Sequence, residues 1–155
     1  MKWNTNDVDV YLQEQEYIDT AVLSLLPVSF AEDKKSRLEQ FEFAYTLSNE
    51  VEKQFKGRIV QFPSFTYHVS EEQEQAVERL QEWLDDLNTL GMKHIFLITS
   101  DSNWKGYEKT CEENVELVWV PSIPLAHLDG QVKHKIIQDQ LNQLIPIMTK
   151  KWQNR

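Results

Sequence analysis

The segment TAVLSLLPV, residues 20–28, is an almost unbroken apolar run bounded by Asp19 and by the polar stretch that follows Phe30. A strand with one face in water alternates apolar and polar residues. An unbroken run of this length calls for apolar cover on both faces, the environment of a strand inside a parallel sheet. HIFLIT (94–99) and VELVWVP (115–121) have the same character, and RIVQF (58–62) is a shorter strand closed by Pro63. SFTYHV, just beyond, either extends that strand or pairs at an edge.

Between these runs the apolar residues recur at helical spacing. Asn4 or Thr5 caps a short helix with Val8, Tyr11 and Leu12 on one face. A long helix is expected over 36–56, with Leu38, Phe41, Ala44, Tyr45, Val51 and Phe55 on one stripe and Gly57 at its end. A third is expected from a Ser70 cap with Gln73 as its capping-box partner, burying Ala76, Leu80, Trp83, Leu84, Leu87 and Leu90. A short helix near 103–112 and a last one ending near Lys150 complete the chain. Val132, Ile136, Leu141, Leu144, Ile145 and Met148 point inward on the last, and Pro146 is expected to bend or shorten it. Strands alternating with helices define an α/β fold. The expectation is a single three-layer domain over 1–155, with a mainly parallel sheet of about four strands and helices on both faces.

Composition narrows the function classes. The 155 residues carry 25 acidic against 16 basic side chains, a formal charge of −9, which opposes binding to nucleic acid or to an anionic membrane surface. No run approaches the length of a membrane span, and MKWNTNDVDV has no apolar signal core. The lone Cys111 has no internal disulfide partner, and Glu112 and Glu113 beside it disfavour a reactive thiolate. A cytoplasmic location is expected.

The loops limit the chemistry. The four glycines build neither a GxGxxG nor a GxxxxGK[ST] phosphate loop, and GxSxG is absent. His68, His94, His127 and His134 have no close metal-ligand spacing, and one cysteine cannot found a structural zinc site. The acidic face over 71–86 reads as solvated, or as a docking surface for a basic partner. Trp3, Trp104 and Trp152 lie near loops or ends, as interface anchors or partly buried rings. The stretch LITSDSNWKG (97–106) runs from a strand into small polar residues, where α/β sheets place ligands. Glu32, Tyr67, His68, Ser100, Asp101 and Asn103 all fall at carboxyl ends of expected strands and form one candidate cleft. Asp101 or Ser102 also suits the N-cap of the next helix.

Over most of its length, from MKWNTNDVDVYLQEQEYIDTAVLSLLPVSF onward, the sequence resembles the YpiF-like family of small bacterial proteins. That resemblance implies a bacterial, cytoplasmic origin and no particular activity. The order LLPVSFAEDKK, FPSFTYHVSEE, FLITSDSNW is also similar to that of the creatininase family of metal-dependent amidohydrolases, over roughly 3–104. In that comparison Glu32 stands at the first acidic ligand, while Lys34 and Asp101 replace histidines. The late Glu ligand has no counterpart. Two carboxylates beside a lysine do not hold two metal ions, so the resemblance implies a related scaffold without its metals.

The expected function is a non-catalytic binding or accessory role, with a protein partner or a small ligand at the strand ends and with no cofactor, metal or catalytic set. The alternatives are a hydrolase of a small amide or cyclic amide, using Glu32, Asp101 and His68, and a small-anion sensor.

Overall fold

The long apolar run folds as β1 (Thr20–Val28), the strand on which the computed structural model is organised. The structure describes residues 1–153. In chain order come α1 (Thr5–Gln13), β1, α2 (Lys34–Gln54), β2 (Ile59–Gln61), β3 (Phe65–His68), α3 (Gln73–Leu90) and β4 (His94–Thr99). A 3₁₀ segment (Ser102–Lys109), β5 (Val115–Trp119) and α4 (Gly130–Gln153) follow.

Every paired strand is parallel, in the order β2-β1-β4-β5. β2 pairs with Thr20–Val22 of β1, and β3 pairs with Leu25–Val28 on the same side. The two are one strand position broken near Pro63, which has no N–H to give the ladder. Five strands therefore fill the four expected positions.

Alternation along β1 explains its apolar run. Ala21, Leu23 and Leu25 face a layer made by α1, α3 and the 3₁₀ segment, whose contributions include Tyr11, Leu80, Leu84 and Trp104. Val22, with Phe96 and Ile98 of β4, faces Phe43, Leu47 and Val51 of α2 and Ile137, Leu141 and Leu144 of α4. The result is a mixed α/β fold of three layers. Residues 1–3 lie along β2, with the Trp3 N–H donating to the Gln61 carbonyl and the Gln61 N–H to the Met1 carbonyl, and so cover that sheet edge.

Several local expectations shift. α3 begins at Gln73, with Glu72 at its cap and no side-chain cap bond. Ser70 instead bonds the His68 ring, and Glu71 pairs with Arg79. The capping-box spacing is present, but the Ser70 hydroxyl it needs is taken by the His68 ring in the turn after β3. Gly91 ends α3 at φ 112°, a backbone that side-chain-bearing residues rarely adopt. Leu12, Leu38, Tyr45, Trp83, Leu90 and Val132, placed on buried stripes by spacing, are exposed, because each layer covers only the part of a helix over the sheet. α4 runs through Pro146 to Gln153 rather than stopping short, with Leu144 and Met148 buried on either side to hold it down. Among the described residues no helix is long and apolar enough to cross a membrane.

Candidate functional site

The strand order creates a switch point. From β1 the chain crosses through α2 to β2 on one side. From β3 it crosses through α3 to β4 on the other side of β1, over the opposite face. The loops leaving β1 and β4 therefore diverge, and the crevice outside the carboxyl ends of these strands is where open α/β sheets bind ligands.

Asp101 stands at this point, immediately beyond β4, and is 2% exposed. Its Oδ1 accepts the Asn103 N–H at 3.0 Å, which caps the 3₁₀ segment. Its Oδ2 accepts the Tyr67 hydroxyl at 2.6 Å and lies 3.4 Å from the Arg37 guanidinium. Tyr67 comes from β3 and packs on the α3 side, edge-on to Trp104 at 5.3 Å, whereas Arg37 comes from the first turns of α2 on the other side. One carboxylate thus joins both outer layers at the end of the sheet. Asp101 is therefore a cap and also the centre of a polar tie.

Arg37 continues the network to Asp33, whose carboxylate also accepts the Ser29 hydroxyl. Those hydrogen bonds, from Ser29 first and then Arg37, hold the Asp33 carboxyl below the ordinary carboxylate range. Burial pushes the Tyr67 phenol well above its usual pKa, and the Asp101 carboxylate adds to the rise. Tyr107 is pushed up to about 12, by burial first and then by Cys111 and Glu112.

The sign of the pH dependence follows. A group whose folded pKa is raised binds its proton more tightly folded than unfolded. Its stabilisation is complete below the unfolded value of about 10 and is lost as pH rises above it. Unfolding free energy from urea titrations should therefore fall above about pH 10. Tyr67→Phe should make that fall shallower, and an unchanged slope in the variant would show that Tyr67 is not the group involved.

A cleft of about 240 Å³ opens over this tie, lined by Tyr67, Val69, Glu71, Gln73, Asp101 and Asn103. Of the six residues expected to share a cleft, Tyr67, Asp101 and Asn103 do so. Ser100 is buried beside them, its hydroxyl without a hydrogen-bond partner among the described residues, while its carbonyl accepts the Trp119 indole N–H at 3.2 Å. His68 is exposed, bonded to Ser70 and facing the Phe30 ring at 5.9 Å, and does not line the cleft. Glu32 stays on the exposed β1–α2 loop outside the lining, and Lys34 turns its ammonium to the Ala31 carbonyl. Among the described residues no three His, Cys, Asp or Glu side chains form a metal-holding group.

Arg37 and Asp33 were not singled out by sequence, and Gln73 only as a capping-box partner. The only prior signal for Arg37 was its place one turn into the helix that follows the central strand. Trp104, placed by sequence near a loop, is fully buried between Phe65, Tyr67 and Tyr107 and forms the floor under the Tyr67 ring.

These features define the class: a doubly wound, all-parallel α/β protein with a small polar cleft at its switch point. The chain belongs to the family described as "Protein of unknown function (DUF2487)", whose profile matches residues 9–152. It is 32% identical over 152 residues to the uncharacterized protein YpiF of Bacillus subtilis (strain 168), an alignment spanning 98% of each chain. No solved structure matches it.

Proposed function

We propose that the protein is a non-catalytic cytoplasmic binding protein whose switch-point cleft takes a small, uncharged polar group. The observation that carries this reading is the prior engagement of both cleft carboxylates. Asp101 is held on both oxygens, and Glu71 accepts two bonds from Arg79 at 2.7 and 2.8 Å. A carboxylate so occupied is poorly placed to take a proton from water or to ligate a cation. The side-chain amides of Gln73 and Asn103 remain as donors and acceptors for a ligand. The volume, below that of typical drug-sized pockets, suits an amino-acid-sized molecule or one side chain of a partner. The cytoplasmic assignment is supported by the single unpaired Cys111.

The test is a thermal-shift screen of small amides, polyols and neutral amino-acid derivatives against the wild type and a Gln73→Ala/Asn103→Ala variant. A ligand present at about 100 times its Kd adds about 2.7 kcal/mol of apparent stability. Stabilisation of the wild type that disappears in the variant supports the reading. Turnover of an amide or cyclic amide that disappears in a folded Asp101→Asn variant would replace it with a hydrolase.

A further inference from the structure

A second cavity lies at the other end of the sheet. It encloses about 830 Å³ near the amino ends of β4 and β5 and the last turns of α4. Its size falls in the range of small-molecule pockets. Three lysines converge on it: Lys93 from the turn before β4, and Lys150 and Lys151 from α4.

Their pairing is uneven. Lys151 reaches the Glu116 carboxylate at 3.3 Å and the Glu113 carbonyl at 2.9 Å. Lys93 and Lys150 make no ion pair among the described residues, on a chain where acidic side chains outnumber basic ones 25 to 16. Lys150 and Lys151 also suit the helix C-terminus on which they stand. Lys93 has no such role, yet it opens on the same cavity. The opposing carboxylates at the lining are Glu116, already held, and Glu113.

The start of β4, which lines the cavity, is tied to the residue before β1. The backbone N–H groups of Lys93 and His94 both donate to the Asp19 carbonyl, at 2.7 and 3.1 Å. The Asp19 carboxylate is in turn gripped through two bonds by Arg58, whose guanidinium lies 4.3 Å from the centre of the Trp152 ring. Ile147, 37% exposed, supplies an apolar wall alongside the aliphatic lysine stems.

From this convergence of under-paired lysines on a large, braced, partly apolar cavity, we propose a second ligand site for an organic anion. Its ligand class is a carboxylate or phosphate ester with an apolar body. The anionic group lies between Lys93 and Lys150, and the body lies against Ile147. This site is independent of the switch-point cleft.

The test is an NMR titration of the full chain with phenyl phosphate, with benzyl alcohol as the neutral comparison. Saturable shifts in the amides of 93–94, 113–116 and 147–151 are expected, weakening with added salt. In Lys93→Gln/Lys150→Gln, both changes at exposed positions, the affinity should drop at least about tenfold. Gln73→Ala/Asn103→Ala should leave it unchanged. Failure to saturate into the millimolar range, equal binding of benzyl alcohol, or unaltered affinity in the double lysine variant would each overturn the site.

Discussion

Replacing Asp101 with alanine should lower the unfolding free energy by about 3–5 kcal/mol, the usual result of removing one partner from a buried charged pair. The variant leaves the Tyr67 hydroxyl without its acceptor, uncaps the 3₁₀ segment at Asn103 and strips Arg37 of one of its two carboxylates. Tyr67→Phe removes only the hydroxyl and should cost less, about 1–3 kcal/mol. A double-mutant cycle between the two positions should show them strongly coupled, since they share one hydrogen bond. Urea denaturation supplies all of these values. A loss below about 1 kcal/mol for Asp101→Ala would mean that the carboxylate does not join the layers in solution.

Trp104→Ala should be comparably severe, at about 3–5 kcal/mol. Its ring is fully buried and meets Phe65, Tyr67 and Tyr107 edge-on at 5.3 to 6.3 Å. The cavity left behind adjoins Tyr67, so the variant should also loosen the switch-point cleft. Hydrogen exchange at Asn103 and neighbouring amides measures that loosening. Trp83→Ala is the matching control. Trp83 also stands edge-on to Phe65, at 5.5 Å, but is 36% exposed, and its loss should be clearly smaller. Equal losses at the two tryptophans would contradict the burial that separates them.

The contrast between Trp83 and Trp104 shows how far sequence reading reaches. Trp83 lies on a regular apolar stripe, and periodicity assigned it to the core. Trp104 follows a cluster of small polar residues and carries no periodic signal. The 3₁₀ segment turns it inward because Asp101 caps that segment at the end of a covered strand. The candidate cleft divides in the same way. Tyr67, Asp101 and Asn103 were legible because strand ends can be located from apolar runs, and loops at strand ends converge. Glu32 and His68 satisfied the same rule. They nevertheless stay outside the lining, since position at a strand end does not determine which way a side chain points. Arg37, which does reach Asp101, lies on a helix whose rotation over the sheet no local pattern specifies.

By itself, the sequence determined the parallel, doubly covered sheet, the alternation of elements and the absence of the standard phosphate loops. Each of these follows from short-range periodicity or from residue types at fixed spacing. Only the tertiary structure decided that β2 and β3 share one strand position and that the lysines of 93, 150 and 151 open on one cavity. It also decided that one carboxylate ties β3 to β4 across 34 residues of sequence and joins α2 from the other layer. Those outcomes depend on the register and packing of segments far apart in the chain, where hydrogen-bond geometry and burial act on groups that share no local pattern.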